Sequence, residues 1–96
     1  MTGDDTVTSI IVWEGIEIEI TYAAASILAR AHLELRSKDK ERLPVTETGY
    51  RSEFLEQGRV EEEGGPDAYT IAWLNHMAKS AEWKAYRQSS RQLSLF

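Results

Sequence analysis

The sequence predicts an α+β domain, a small antiparallel sheet packed against C-terminal helices. Three observations support this prediction. Apolar and polar residues alternate between residues 16 and 22, which is the period of a half-buried strand. A Gly-Gly-Pro sequence at residues 64–66 precedes a stretch in which apolar residues recur at helical spacing. Strands that come first and helices that come last favour segregated layers over alternating βαβ units.

The first two strands form a predicted β-hairpin. Two β-rich runs, Val7–Trp13 and Ile16–Tyr22, are separated only by Glu14 and Gly15, as in a two-residue hairpin turn. This spacing predicts the pairs Trp13–Ile16, Ile11–Ile18 and Val7–Tyr22, and it directs Ile16, Ile18, Ile20 and Tyr22 into the core. Because Glu rarely adopts the positive φ that such a turn requires, a turn one residue longer stays an alternative.

A third strand is predicted at about residues 31–37, where apolar residues again alternate with polar ones. A third strand would also stabilise a hairpin that is marginal in water by itself. Residues 23–29 are rich in alanine, and we expect an irregular or helical turn there. We expect turns over residues 46–52 and one or two helical turns over residues 54–60.

Two C-terminal helices are predicted. The first begins at Pro66 with Gly65 as its N-cap. It carries two adjacent apolar stripes, which predict burial on more than one side; they are Ile71, Leu74 and Ala78, and Tyr69, Trp73 and Met77. The second runs from about Ala81 to Ser90, with Ser80 as its N-cap.

The predicted domain organisation has three parts. Residues 1–6 are small and polar and are expected to be disordered. Residues 7–88 form a single α+β domain. Residues 89–96 form a C-terminal tether that ends in a partner-binding peptide.

Composition excludes several classes of function. A net charge of −5 argues against broad nucleic-acid binding, which requires clustered Lys and Arg. The chain has no Cys and therefore no thiolate metal site. His32 and His76 lack neighbours at ligand spacing, and no phosphate loop, dinucleotide fingerprint or Ser-His-Asp spacing is present. We therefore predict no enzyme activity, no catalytic residue, no cofactor and no metal.

The N-terminal sequence predicts a cytoplasmic protein. Asp4 and Asp5 stand where a signal peptide requires Lys or Arg, and no apolar run is long enough to span a membrane. The sequence does not specify the oligomeric state.

The last five residues provide the most specific signal in the chain. They are Gln92, Leu93, Ser94, Leu95 and Phe96, three of them large and apolar. This pentapeptide resembles the binding motif for the bacterial DNA sliding clamp, Gln-Leu-(Ser/Asp)-Leu-Phe, and all five positions match. The resemblance implies that the Leu95–Phe96 pair enters a hydrophobic cleft on the clamp. It covers only this pentapeptide.

A second candidate surface lies between Leu43 and Leu55. Glu47, Tyr50 and Arg51 are residue types that often converge on a ligand. A structured loop anchored by Tyr50 and Phe54 is the alternative. This block also resembles a stretch of small bacterial proteins, some from plasmids or prophages, a resemblance that implies no activity.

Three functional hypotheses follow. The first is a non-enzymatic protein that binds the sliding clamp through its C-terminal pentapeptide, as an accessory or modulator of DNA replication or repair. The second is a small interaction module, such as a plasmid or phage accessory protein or an antitoxin, whose tail packs in its own core or dimer interface. The third is a small-ligand or catalytic domain that uses Glu47, Tyr50 and Arg51.

Overall fold

The computed structural model describes residues 6–25 and 30–94, and it confirms the α+β fold. Four strands form one antiparallel sheet in the order β1-β2-β3-β4. The strands are β1 Thr6–Trp13, β2 Ile16–Ala23, β3 Ala31–Ser37 and β4 Tyr50–Leu55, and the helices are α1 Arg59–Glu62, α2 Pro66–Met77 and α3 Ala81–Ser94. No helix within residues 6–25 and 30–94 is long and apolar enough to cross a membrane.

The first hairpin has the predicted register. Trp13 pairs with Ile16, Ile11 pairs with Ile18, and Val7 pairs with Tyr22. The turn has two residues, with φ of 50° at Glu14 and 82° at Gly15. The alternative of a longer turn is therefore wrong, and Glu14 adopts the left-handed backbone that normally favours Gly or Asn.

The sheet is one strand larger than predicted. The third strand, β3, is confirmed at Ala31–Ser37. The turns expected over residues 46–52 and the helix expected from Phe54 are wrong in part, because Tyr50–Leu55 forms β4 beside β3. Helical structure begins later, at Arg59. Most of the 23–29 segment lies outside the described residues, as do residues 1–5.

The helices pack on one side of the sheet, which we call the covered face. It carries Trp13, Ile16, Ile18, Ile20 and Tyr22 of the hairpin together with alternate residues of β3. The buried core consists of Trp13, Ile16, Ile18, Ile20, Tyr22, Ala31, Leu33, Leu35, Leu43, Val45, Val60, Leu74 and Trp83. The opposite side, which we call the open face, carries Ile10, Val12, Glu17, Glu19, His32, Glu34, Arg36, Tyr50, Ser52 and Phe54.

The helix starts are those predicted, whereas the buried surface of α2 is narrower. Pro66 opens α2 after Gly65, and the Ser80 hydroxyl accepts a hydrogen bond from the Trp83 N–H at 3.1 Å. In α2 only Thr70 and Leu74 are fully buried, while Ile71 and Met77 are 38% and 39% exposed. The prediction of a helix buried on more than one side is therefore wrong.

Candidate functional site

The helix that carries the pentapeptide is anchored to the domain by aromatic packing. Trp83 is 3% exposed, and its ring centroid lies 5.7 Å from that of Trp13. Tyr86 also packs against Trp83, at 5.2 Å between ring centroids. These two anchors are three residues apart and therefore lie on the same face of α3.

Tyr86 adds a polar anchor to the apolar one. Its hydroxyl donates a hydrogen bond of 3.1 Å to the Glu41 carboxylate, and the Arg42 guanidinium lies 4.8 Å from the ring centroid. Burial, together with the bond to Glu41, raises the pKa of the Tyr86 hydroxyl above its usual value. The hydroxyl is thus a neutral donor that ties α3 to the loop after β3.

Arg87 is the last described side chain that ties α3 to the sheet. Its guanidinium lies 3.3 Å from the Glu14 carboxylate and donates a hydrogen bond of 3.1 Å to the Glu14 carbonyl oxygen. The next two residues, Gln88 and Ser89, are exposed.

The pentapeptide follows this anchored half of the helix. Gln92, Leu93 and Ser94 belong to the last turn of α3, which extends four residues beyond its predicted end at Ser90. Leu95 and Phe96 lie outside the described residues. At 1.5 Å per residue, Gln92 follows Arg87 by roughly 7–8 Å along the helix axis.

A cavity of 470 Å³ lies beside the anchored half of α3. Its lining residues are Glu14, Ala78, Trp83, Lys84, Arg87 and Gln88. The guanidinium of Arg87 is already paired with Glu14. Lys84, which is exposed, is the lining cation without an ion pair among the described residues.

The second candidate surface does not assemble as predicted. Tyr50 and Arg51 are successive residues of β4, so their side chains lie on opposite faces of the sheet. Tyr50 donates a hydrogen bond of 2.9 Å to Glu34 on the open face. Arg51 donates to the Val45 carbonyl oxygen at 3.0 Å and lies 5.6 Å from the Trp73 ring centroid. The Glu47 side chain is 81% exposed, and its carboxylate lies 3.9 Å from the Arg42 guanidinium. The three side chains therefore share no ligand site.

Arg51 instead has a structural role. Its guanidinium pairs with Glu53 on the covered face and spans the distance between the sheet edge and α2. A side chain held by a carbonyl, a carboxylate and an aromatic ring supports packing rather than ligand binding.

The open face carries a polar and aromatic group that the sequence reasoning missed. His32 stacks on Phe54 at 4.5 Å between ring centroids and hydrogen-bonds to Ser52 at 2.6 Å. The Arg36 guanidinium lies 5.2 Å from the Tyr50 ring centroid. Both faces of β4 mix polar and apolar residues, so strand periodicity offered no signal for this group. Within the described ranges, no three His, Asp or Glu residues lie close enough to hold a metal ion.

The fold and these contacts define a small α+β domain with a sheet covered on one face and an anchored C-terminal helix. A family model described as KlcB third domain matches residues 6–83, and the chain therefore belongs to the KlcB third-domain family. No curated protein and no solved structure matches the chain. The family match ends within the first turn of α3, so the pentapeptide lies outside it.

Proposed function

We propose that this protein binds the bacterial DNA sliding clamp through Gln92–Phe96, as a non-enzymatic accessory or modulator of DNA replication or repair. The observation that carries the proposal is the sequence of the pentapeptide, in which all five positions match the clamp-binding motif. Family membership concerns residues 6–83 and is independent of this peptide.

The anchoring of α3 supports the proposal. Trp83, Tyr86 and Arg87 attach the first two turns of the helix to the domain, and the exposed residues Gln88 and Ser89 follow. A binding peptide placed after such an anchor can engage a partner without disturbing the core. The peptide then links the folded domain to the clamp.

The energetics are those of a moderate-affinity peptide. Burial of Leu93, Leu95 and Phe96 contributes roughly 1.5–3 kcal/mol for each side chain. Ordering the peptide and losing translational freedom offset much of this gain. The balance is about −7 to −8 kcal/mol, which corresponds to micromolar affinity. Gln92 supplies a directional polar contact, and the apolar pair Leu95–Phe96 supplies most of the energy.

The structure limits the charges that can assist the encounter. Of the basic residues around α3, Arg87 is paired with Glu14, whereas Lys84 is exposed. Lys84 is therefore the residue of this pair that is free to contribute to electrostatic steering toward an acidic surface. We expect a modest dependence of the association rate on salt.

The test is a calorimetric titration of a purified bacterial sliding clamp with the full chain. The matched variants are a chain that ends at Arg91 and the double variant Leu95→Ala, Phe96→Ala. We expect micromolar binding by the wild-type chain and none by either variant, with unchanged melting temperatures. A wild-type chain that does not bind would contradict the proposal, and if the double variant also melts many degrees lower, the tail serves the fold instead.

A further inference from the structure

Strand β1 has an unpaired backbone edge. It is the first strand of the sheet and has β2 on one side only. Because Trp13 and Ile16 close a two-residue turn, Trp13 and alternate residues before it bond to β2. The N–H and C=O groups of Thr6, Thr8, Ile10 and Val12 then point away from the sheet. No other backbone segment among the described residues bonds to this edge.

The edge lacks the features that usually prevent strand pairing. Thr6–Trp13 contains no charged residue and no Pro, and its pairing with β2 is continuous without a bulge. The edge at the other end of the sheet differs, because β4 is shorter and carries Arg51 and Glu53. An uncharged, regular edge strand is a template for another strand.

Exposed apolar side chains concentrate at the same edge. Val7, Ile10 and Val12 are 53%, 59% and 68% exposed. Ile10 and Val12 lie on the open face, whereas Val7 lies on the covered face, as does Ile71 of α2, which is 38% exposed. The two residues one turn before and after it, Asp67 and Asn75, accept hydrogen bonds from Ser9 and Trp13 of β1.

We propose that β1 pairs antiparallel with β1 of a second copy of this chain, which joins the two sheets into one of eight strands. In the register that uses the whole strand, the two-fold axis passes between the Ser9 residues of the two copies. Thr8 of each copy then pairs with Ile10 of the other, and Thr6 of each copy pairs with Val12 of the other. The outward backbone groups then form about eight hydrogen bonds. Val7 of each copy lies opposite Ile11 of the other, on the side of Ile71.

The composition of the strand favours a second copy over a different partner. In this register every pair away from the axis joins two β-branched side chains, while the small Ser9 residues meet at the axis. No residue of β1 is charged, so the strand pairing itself places no charge opposite a like charge. The carboxylates nearest to the axis are those of Asp67 in the two copies, each of which accepts the hydrogen bond from Ser9, and their mutual repulsion opposes the pairing. The nearest acidic residues of β2, Glu17 and Glu19, are separated from those of the other copy by about 14 Å across the strands, beyond the Debye length at physiological salt.

This pairing is independent of clamp binding, because β1 and the pentapeptide occupy separate parts of the chain. The test is sedimentation equilibrium of the full chain and of Ile10→Lys, with Thr21→Lys as the matched control. Thr21 lies on the same face, one strand further from the edge. We expect twice the chain mass for the wild type and the control, and the single-chain mass for Ile10→Lys. Thr8→Lys repeats the edge test at a second exposed position.

The register has its own test. The chain has no Cys, so Ser9→Cys introduces a single thiol at the proposed axis. The non-hydrogen-bonded pair there brings the two Cα atoms to about 4.5 Å, within the range of a disulfide. We expect mild oxidation to crosslink Ser9→Cys and not Thr21→Cys. A monomeric wild type, a dimer that persists in Ile10→Lys, or a Ser9→Cys chain that does not crosslink would overturn the proposal.

Discussion

Arg87 of α3 holds the turn of the first hairpin through Glu14, with 3.3 Å between guanidinium and carboxylate and a 3.1 Å hydrogen bond to the Glu14 carbonyl oxygen. These residues are 73 positions apart, and the contact joins the sheet to the last helix. It also occurs where the backbone is strained, because Glu14 has a φ of 50°. Helix α3 thus stabilises a turn that the local sequence, with Glu at position 14, does not favour.

We predict that Arg87→Met lowers the free energy of unfolding by roughly 1 kcal/mol, because it removes an ion pair and a hydrogen bond but keeps an apolar stem. Chemical denaturation measures this loss. Lys84→Met on the same helix is the control and should change stability by less than about 0.5 kcal/mol. Equal effects of the two changes would mean that the contact with Glu14 contributes nothing.

The faces of β2 give a second prediction. Ile18 is fully buried, whereas Glu19 lies on the open face. Ile18→Asp places an unpaired carboxylate in the core and should cost more than about 4 kcal/mol, enough to unfold the domain. Glu19→Lys should change stability by about 0.5 kcal/mol or less. Similar melting curves by circular dichroism for both variants would contradict the assignment of the faces.

Two glycines test how the hairpin turn and the loop before β4 are built. A Cβ at Gly49 would lie 2.6 Å from the Ser37 hydroxyl and 2.7 Å from backbone atoms of Lys40, whereas a Cβ at Gly15 would meet no atom within 4 Å. Both residues have positive φ. Gly15→Ala should therefore cost only about 1 kcal/mol of backbone strain. Gly49→Ala adds a backbone clash and should cost at least roughly 2 kcal/mol more. Equal melting temperatures would disprove the close approach of Gly49 to Lys40.

Tyr22 gives a prediction for alkaline pH. Burial, with a 2.8 Å hydrogen bond to the Glu61 carboxylate, raises the pKa of its hydroxyl to about 12. A raised pKa means that the folded state holds the proton more tightly than the unfolded state, which releases it near pH 10. The stabilisation is therefore complete below pH 10 and is lost as the pH rises toward 12.

The measurement is urea denaturation at pH 9, 10 and 11 for the wild type and for Tyr22→Phe. By pH 11 the wild type should lose roughly 1.4 kcal/mol more than the variant, about half of the roughly 3 kcal/mol expected across the full transition. Tyr86→Phe is measured in the same way for comparison with Tyr22→Phe, because burial and a hydrogen bond to a carboxylate also raise the pKa of Tyr86. Parallel pH profiles for the wild type and Tyr22→Phe would contradict the prediction.

Local patterns were sufficient to predict the hairpin, β3 and both helix starts. The two-residue gap at Glu14–Gly15 fixes a register, and Ser80 and Pro66 mark helix starts through local hydrogen bonding and φ. These features depend on residues a few positions apart. Strand β4 was missed because its two faces both mix polar and apolar residues, as expected for an edge strand that is covered only in part.

The candidate surface at Glu47, Tyr50 and Arg51 could not be resolved without β4. Once residues 50 and 51 belong to a strand, alternation separates their side chains. The contact of Arg51 with Trp73 depends on the position of α2 on the sheet. Local sequence patterns do not specify that position. The pentapeptide differs, because its prediction is a motif match and depends on no tertiary contact.

The last prediction ranks the positions of the pentapeptide. Single alanine substitutions should weaken clamp binding most at Phe96 and Leu95, by roughly 2 kcal/mol or more each, because large apolar anchors in a cleft dominate such interfaces. Gln92→Ala should cost about 1 kcal/mol through a lost polar contact. Ser94→Ala should matter least, since the motif accepts either Ser or Asp there. Fluorescence polarisation with a labelled pentapeptide, displaced by each variant chain, measures the ranking. A uniform loss across all positions, or a largest loss at Ser94, would contradict binding in the manner of the motif.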